Sequence, residues 1–398
     1  MDIKIPSDND FDQKTARYLL EKCATLIVEN FPEGSEFGID LSINYTGKNF
    51  IGLKMIPPGL HFIHFSLVSH KTQSVAPRIG FFHCFKSGEF YCTRWNTKEE
   101  DIDFNVHSSV QIERFRENFL RGYLDNQLGP YQFDSYQTWV TLTDYITETL
   151  FQKMNPECGK IYSASNLVYK TNDNPESNDS SNVNKKHCHR VDDQGLPDMI
   201  IAPENAIKFP STPIPKHFLY PQGSKPDEIT QHSIDSSYTL EYLIHEKHQD
   251  CQFELLGELQ FAFIIFLLGH QFESFEHWEH MIRVICSCRR TLLERPEFFL
   301  AFIRVFHFQL KQTDQAIFAD IVDNENRVYH WIRTFFLNIR STTTRSDLMN
   351  RADKFRYFLS KTFGWNFGNL DQQRQQQQQD DDDDENVPED EKPVIVMM

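Results

Sequence analysis

The hydrophobic pattern differs between the first and second parts of this chain, and this difference constrains the fold more than any other feature. A polar segment separates the two parts. Residues 1–170 begin with short alternating apolar runs, typical of β-strands, and close with two helical stripes. From residue 226 to residue 368 apolar side chains recur at helical spacing instead. The residues between the two parts are rich in Asn, Ser, Asp and Pro and follow neither period. The pattern therefore predicts an α+β protein with more than one domain.

Four segments follow from this pattern. Residues 1–170 are predicted to form a β-rich, sandwich-like domain with two trailing helices, and residues 171–225 a low-complexity and extended linker. Residues 226–368 are predicted to form an all-α domain of about six helices, a compact bundle or superhelix, because short connections favour antiparallel neighbours. Residues 369–398 carry a Gln run and an acidic run, and we expect this tail to be disordered.

The charge of the chain argues against a nucleic-acid-binding protein. Its formal net charge is -17, whereas binding to the phosphates of a nucleic acid needs clustered Lys and Arg side chains. Residues 371–398 alone hold ten acidic and two basic side chains, so the tail contributes -8 and the body is only mildly acidic. With 39% hydrophobic residues and 35 Phe, the body has ample material for cores.

The sequence predicts an intracellular protein, cytoplasmic or nuclear. Its N-terminus has no apolar stretch of the kind that secretory signals require. The longest apolar run, residues 261–268, is far shorter than the roughly 20 residues of a membrane span. Eight cysteines lie without C-x-x-C pairs, which indicates reduced thiols that serve mostly in packing.

A hairpin is the clearest local unit predicted in the first domain. Residues 78–86 and 89–95 read as strands on either side of a two-residue Ser-Gly turn. That turn would place Phe85 opposite Phe90, and such aromatic pairs stabilise antiparallel strands. The hairpin is therefore expected to be a paired ladder within one sheet.

Helix signals are equally specific. Ser108 and Gln111 resemble a capping box at the start of the first trailing helix, and Asp134 is expected to cap the second. The apolar stripe of that second helix is predicted to be Trp139, Leu142, Ile146 and Leu150. In the helical domain, residues 255–268 are apolar on nearly every face and predict a central buried helix. Pro296 is expected in the first turn of a later helix.

No metal site, cofactor or catalytic centre is predicted. The candidate histidine pairs are His61 with His64, His187 with His189, His245 with His248, and His277 with His280. Residues three apart on a strand point to opposite faces, and the other pairs lack the spacing or the further ligands of a metal site. Phosphate-binding glycine loops and the G-x-S-x-G elbow are absent from the sequence.

The end of the tail is the strongest candidate for a binding element. Its partner-binding residues are predicted to be Pro393, Val394, Ile395 and Val396. An apolar, β-branched strand on a polar tether has the form of a segment that adds to the exposed sheet edge of a partner. The acidic run before it is expected to steer the tail toward a basic partner or to improve solubility.

Six stretches of the chain resemble the Aar-two family of spliceosome assembly factors, and they occur in the order found in that family. They are residues 36–40 (EFGID), 55–62 (MIPPGLHF), 78–82 (RIGFF), 128–131 (LGPY), 256–263 (LGELQFAF) and 275–278 (FEHW). The resemblance covers most of residues 15–367 and implies an N-terminal β-sandwich-type domain with a C-terminal helical domain like the VHS superhelix.

The resemblance also implies a role and a partner. Family members bind the core scaffold protein of the U-five small nuclear ribonucleoprotein through its RNase H-like and Jab/MPN-like domains, during assembly in the cytoplasm. They hold off the spliceosomal helicase and RNA until release in the nucleus. A tail strand that bridges the two scaffold domains belongs to the family, and here only residues 393–396 match it. Phosphorylation is implied as a release trigger in some members, but no serine of this chain aligns with one.

Two other functions stay open at this point. The helical domain could be a general adaptor that binds linear peptides, and the β-domain could be a metal-dependent enzyme. Binding to many short peptides would favour the first, and one tightly held metal per chain would favour the second. Otherwise the expected partners are proteins, without direct nucleic acid, membrane or small-molecule substrate.

Overall fold

The structure is a computed structural model, and it describes residues 13–69, 72–164, 167–169, 199–212, 219–313, 327–342 and 345–367. The chain divides into two compact units. The first consists of Met1–Thr212 with Phe253–Trp278, and the second of Pro213–Gln252 with Glu279–Met398. A two-domain α+β architecture is therefore confirmed. This division differs from the predicted segments, because residues 253–278 pack with the β-structure instead of with the later helices.

Two five-stranded sheets form most of the first unit. In spatial order the first sheet contains β8 (Asp101–Asp103), β7 (Phe90–Asn96), β1 (Ala24–Glu29), β4 (Gly52–Ile56) and β9 (Leu128–Pro130). The second contains β10 (Ile161–Tyr162), β6 (Ile79–Phe85), β5 (Gly59–Ser66), β2 (Glu36–Ile39) and β3 (Ser42–Tyr45). A further pair, β11 (Leu167–Tyr169) and β12 (Met199–Ile201), is antiparallel.

Aromatic side chains from both sheets share one core. Phe31 lies between Phe65 of β5 and Trp95 of β7, with ring centroids 5.6 and 5.2 Å away in edge-to-face geometry. All three side chains are buried. Since edge-to-face contacts are favoured between aromatic rings, this cluster joins the inner faces of the two sheets into a sandwich.

The predicted hairpin is wrong. β6 pairs with β5, so that Phe85 lies opposite Gly59, and β7 pairs in parallel with β1, so that Phe90 lies opposite Thr25. The two strands therefore belong to different sheets. The turn itself forms, because the Glu89 N–H donates to the Lys86 carbonyl oxygen at 3.1 Å. A tight turn can cross from one sheet to the other as well as pair its strands, and the available partner strands decide between them.

The helices of the first unit cover the sandwich. They are α1 (Gln13–Lys22), α2 (Ser109–Leu120), α3 (Tyr136–Thr143), α4 (Glu148–Met154) and α7 (Gln252–Gly269). The predicted capping box at α2 is confirmed, since Ser108 Oγ accepts the Gln111 N–H at 3.4 Å and Gln111 Oε1 accepts the Ser108 N–H at 2.9 Å. Two donors that the first turn leaves unpaired are thereby satisfied.

The second trailing helix is broken in two, contrary to the prediction of one continuous stripe. α3 ends at Thr143, and Thr147 begins α4 as an N-cap whose Oγ1 accepts the Leu150 N–H at 3.2 Å. Between them the Tyr145 N–H donates to Gln260 Oε1 of α7 at 2.9 Å. The break is thus held by a side chain more than a hundred residues away, which the local stripe could not reveal.

The predicted central helix is confirmed as α7, and its residues from Leu255 to Ile265 are all buried. It is the one helix among the described residues that is long and apolar enough to cross a bilayer, and 72% of that window is buried inside the protein. Burial of this degree is typical of the core helix of a globular fold.

The second unit is helical in its described residues. Its helices are α5 (Pro226–Ile234), α6 (Ser237–Tyr242) with a π-helical turn (Leu243–Lys247), α9 (Thr291–Glu294), α10 (Pro296–Gln312), α11 (Arg327–Thr342) and α12 (Ser346–Phe363). α8 (Phe272–Cys286) contains the boundary between the units. Pro296 occupies the first turn of α10 as predicted, and Phe302 and Phe306 are fully buried. The resemblance to a VHS superhelix stays a prediction.

Candidate functional site

Asp40, which follows β2, is a buried carboxylate that contacts polar groups from β5 and from Tyr131, which follows β9. Its Oδ2 atom accepts the Tyr131 hydroxyl at 2.7 Å and lies 2.6 Å from His61 Nδ1, while Oδ1 accepts the Phe62 N–H at 3.0 Å. The Asp40 and His61 side chains are 0% and 1% exposed. Burial and the Asp40 charge hold the pKa of Tyr131 far above its usual value. The cluster is closed to solvent and links β5 to the residues that follow β2 and β9.

Whereas His61 contacts the side chain of Asp40, His64 contacts the Asp40 backbone. Its Nε2 donates to the Asp40 carbonyl oxygen at 3.1 Å, and its ring lies over Gly38, where a Cβ would come within 2.3 Å of His64 Cε1. Burial is the main cause that lowers the pKa of His64 to about 3, so the ring is neutral at physiological pH. Both histidines therefore hold β5 to Asp40, through different atoms of that residue.

Glu258 of α7 is a second buried carboxylate. Its Oε1 atom accepts the Ser211 N–H at 3.0 Å and lies 2.9 Å from His277 Nε2, and Oε2 accepts the Ser211 hydroxyl at 2.8 Å. On the other side of the ring, Thr212 Oγ1 lies 2.7 Å from His277 Nδ1, and Phe209 stacks on the ring at 3.9 Å. These contacts hold residues 209–212 against α7 and α8.

A guanidinium occupies a third buried position in the first unit. Arg78 Nη1 donates to the Leu268 carbonyl oxygen at 3.2 Å and lies 3.2 Å from His270 Nε2. Its Nη2 donates to Glu36 Oε2 at 3.1 Å. Burial and the Arg78 charge lower the pKa of His270. Arg78 therefore links the end of α7 to the sheet that contains β2 and β6.

The remaining histidine pairs do not form metal sites in the described part of the chain. No three His, Cys, Asp or Glu side chains come together there in a metal-binding group. His245 contacts Glu241 and Asp250, and His280 Nδ1 lies 3.2 Å from an Arg283 nitrogen. The pair in residues 187–189 lies outside the described residues.

The six family-like stretches supply most of these buried contacts. Asp40, His61, Arg78, Tyr131, Glu258 and His277 each lie in a different one of the six. No spacing or motif in the sequence identified Asp40, Tyr131 or Glu258 individually as functional candidates. Their position within the family-like stretches is the sequence signal that could have identified them. The stretches therefore contain the buried joints of the first unit, by which we mean the contacts made by Asp40, Arg78 and Glu258. Residues that bind a partner are expected on the surface of the unit instead.

The first unit has an exposed sheet edge at β3. β3 is the outer strand of its sheet, and Ile43 and Tyr45 on it are 44% and 69% exposed. Beside it, a groove of about 280 Å³ separates β3 from β9, the outer strand of the other sheet, over a floor that includes Phe37 and Leu53. An outer strand offers unpaired backbone N–H and C=O groups to an incoming strand. We call β3 and this groove the edge site.

The predicted partner-binding residues of the tail, Pro393, Val394, Ile395 and Val396, lie outside the described residues. Their role stays a prediction. The edge site was not predicted, because the sequence does not show which strand is outermost.

Comparison with known proteins gives a consistent result across the chain. Residues 22–156 match the family model described as AAR2 N-terminal domain, and residues 212–368 match the AAR2 C-terminal repeat region. A protein AAR2 homolog of Homo sapiens is 32% identical over 363 residues, which cover 89% of this chain and 93% of that protein. One of Caenorhabditis elegans is 34% identical over 88% of this chain and 96% of its own length. The A1 cistron-splicing factor AAR2 of Saccharomyces cerevisiae is 23% identical over 69% of this chain and 72% of its own length. On these matches, the chain belongs to the AAR2 family.

Proposed function

We propose that this chain is a non-catalytic assembly factor of the U-five small nuclear ribonucleoprotein in pre-mRNA splicing. In this proposal it binds the RNase H-like and Jab/MPN-like domains of the core scaffold protein in the cytoplasm, and it leaves after transfer to the nucleus. Membership in the AAR2 family supports a role in splicing, since a yeast relative is named as a splicing factor.

The observation that carries a binding role is the contrast between the interior and the edge of the first unit. Its carboxylate–histidine clusters are buried, with Asp40 and Glu258 both 0% exposed. By contrast, β3 presents an outer backbone edge beside an apolar groove. Strand addition at such an edge uses backbone hydrogen bonds for affinity and neighbouring pockets for specificity. This arrangement suits the capture of a folded partner.

The mechanism is steric. The edge site contacts one scaffold domain, while residues 393–396 of the tail add as a strand to a sheet edge of the scaffold. When the scaffold protein is covered at these two places, its binding surfaces for the helicase and for RNA are blocked. Affinity then depends on both contacts, because linking two binding segments makes the second contact effectively intramolecular.

Size-exclusion chromatography with the RNase H-like domain of the same organism's scaffold protein tests the proposal. Full-length protein is compared with a 1–391 truncation, with Ile43→Lys at the edge site, and with Val110→Lys as the control. Val110 is 77% exposed on α2, so this control adds the same charge away from the edge. We expect a complex that both the truncation and Ile43→Lys weaken and that Val110→Lys leaves unchanged.

Each other outcome has a definite meaning. A complex that is indifferent to the truncation keeps the role and removes the tail strand from it. A complex that is indifferent to Ile43→Lys removes the edge site. Absence of any complex contradicts the proposed function and favours a general peptide adaptor.

A further inference from the structure

A basic cleft lies in the second unit between α10 and α12, which pack against each other. It has a volume of about 310 Å³, with Ile303 and Phe355 among its apolar lining residues. Arg304, Arg351 and Lys354 supply positive charge to its walls, and none of the residues that line it is acidic. The cleft is therefore a basic surface on a chain whose net charge is -17.

The cations of the cleft on α12 are available for a ligand. Arg351 and Lys354 are exposed, and within the described part of the chain neither forms an ion pair. Their helix neighbour Arg356 behaves differently, because its Nη2 lies 3.2 Å from Asp353 Oδ1. Two adjacent cations without carboxylate partners, beside an apolar floor, present a surface suited to an acidic segment that also carries an apolar side chain.

His307 reports the electrostatics of the cleft. Its half-buried ring lies 4.1 Å from the Phe358 ring and 6.0 Å from that of Phe355. Burial lowers the pKa of His307, and the charges of Lys311 and Arg351 lower it further. The cleft therefore disfavours an added proton, and an anion placed there would relieve the same repulsion.

The chain itself contains a segment of matching chemistry. Residues 380–385 are six consecutive acidic residues, and Val387 follows them after one Asn. The segment is also within reach. Lys354 lies nine residues before the end of α12 at Phe363, or about 14 Å along the helix at 1.5 Å per residue. The dozen residues that separate Phe367 from the acidic run can span up to roughly 40 Å.

We propose that the acidic run, residues 380–385, docks in cis onto the basic cleft between α10 and α12. Its carboxylates pair with Arg351 and Lys354, and Val387 contacts the apolar floor. Individual exposed ion pairs are weak, but attachment to the same chain gives the segment a local concentration in the millimolar range. Docking is therefore reversible and sensitive to salt, which screens exposed charges. This inference does not depend on the proposed role in splicing.

Zero-length carbodiimide cross-linking tests the contact in the full-length protein. The reagent joins a carboxylate to an amine only where the two touch, so mass spectrometry should find Lys354 linked to residues 380–385. Arg351→Glu should reduce this product by about fivefold or more, since it removes one ion pair and adds repulsion. Lys98→Glu makes the same change of charge on the first unit and should leave the yield unchanged.

The source of the acidic segment is settled by mixing chains labelled with light and heavy isotopes. Products that link only chains of the same label show docking in cis. Mixed products in proportion to the mixture would show a second copy of the chain instead and would overturn the proposal. Absence of the Lys354 product would overturn it as well.

The pKa of His307 provides a second readout that does not use cross-linking. It is measured by NMR in the full chain and in a variant whose residues 380–385 are changed to Asn or Gln. Docked carboxylates favour the protonated imidazole, so neutralising them should lower the pKa of His307. His232 on α5 is the internal control for any general effect of charge. A His307 pKa that does not respond, or that moves together with His232, contradicts docking.

Discussion

Gly257→Ala tests whether α7 and the break between α3 and α4 fit together as tightly as the structure indicates. Gly257 lies within α7, opposite the backbone of Tyr145. A Cβ at position 257 would lie 2.3 Å from the Tyr145 carbonyl oxygen and 2.7 Å from Leu150 Cδ2. Because a carbonyl oxygen is part of the backbone, the contact can be relieved only by moving α7 or the break itself.

The sign of the effect is what makes this substitution informative. In a helix with free space at the substituted position, a Gly→Ala substitution stabilises the folded protein by about 1 kcal/mol. Overpacking a close-packed interior costs about 1–3 kcal/mol and occasionally more. Because the contact with the Tyr145 backbone is so short, we expect the cost of overpacking to exceed the gain in helix propensity. The unfolding free energy of the first unit should therefore fall by about 2 kcal/mol in total.

Urea unfolding read by hydrogen exchange and mass spectrometry measures this change. Peptides from α7 are followed separately from peptides of the second unit, because the two units need not unfold together. At about 2 kcal/mol per molar urea, the midpoint for α7 should fall by about 1 M. Gly269→Ala, at the end of the same helix, is the control, since its Cβ would meet Ile265 Cγ2 at 3.4 Å, an ordinary contact. A Gly257→Ala protein as stable as the wild type would refute the tight fit.

Three further results are expected. Tyr131→Phe removes a 2.7 Å hydrogen bond to the buried Asp40 carboxylate and should lower the unfolding free energy by about 1–3 kcal/mol in urea titrations, and an unchanged midpoint would contradict this. The folded-state pKa of His64, about 3, lies below the unfolded value, so its contribution to stability is lost as pH falls from 6.5, by up to about 1.4 kcal/mol per pH unit. His64→Asn should flatten that slope between pH 6.5 and 5. Burial raises the pKa of Cys23 to about 12, so peptide mapping after iodoacetamide treatment should find exposed Cys251 alkylated and Cys23 protected until urea is added.

The six family-like stretches contain the buried contacts that hold the first unit together. Asp40 accepts hydrogen bonds from Phe62 and Tyr131, and Glu258 from Ser211, so a change at either position leaves buried groups without partners. Surface positions such as Ile43 carry no such penalty. Positions that specify the fold are therefore easier to recognise from sequence than positions that bind a partner.

Local signals predicted the elements whose determinants lie within a few residues. The capping box of Ser108 and Gln111, the first-turn position of Pro296 and the all-round burial of α7 were confirmed. Each depends on contacts one helical turn apart or on uniform apolarity, and both can be read along the chain. Residues 393–396, predicted to add as a strand to a partner, have equally clear local chemistry, but they lie outside the described residues and their role stays a prediction.

The sequence by itself determined that the chain has a β-rich and a helical part, where most helices begin, and to which family it belongs. Tertiary structure alone decided that β6 and β7 enter different sheets, that Gln260 holds a break between α3 and α4, and that α7 joins the β-rich unit. It also decided that β3 is an outer strand and that Arg351 and Lys354 face a cleft. The physical reason is the range of the interactions. Periodicity and capping act within a few residues, whereas strand pairing and buried hydrogen bonds join residues that are far apart in sequence and have no local trace.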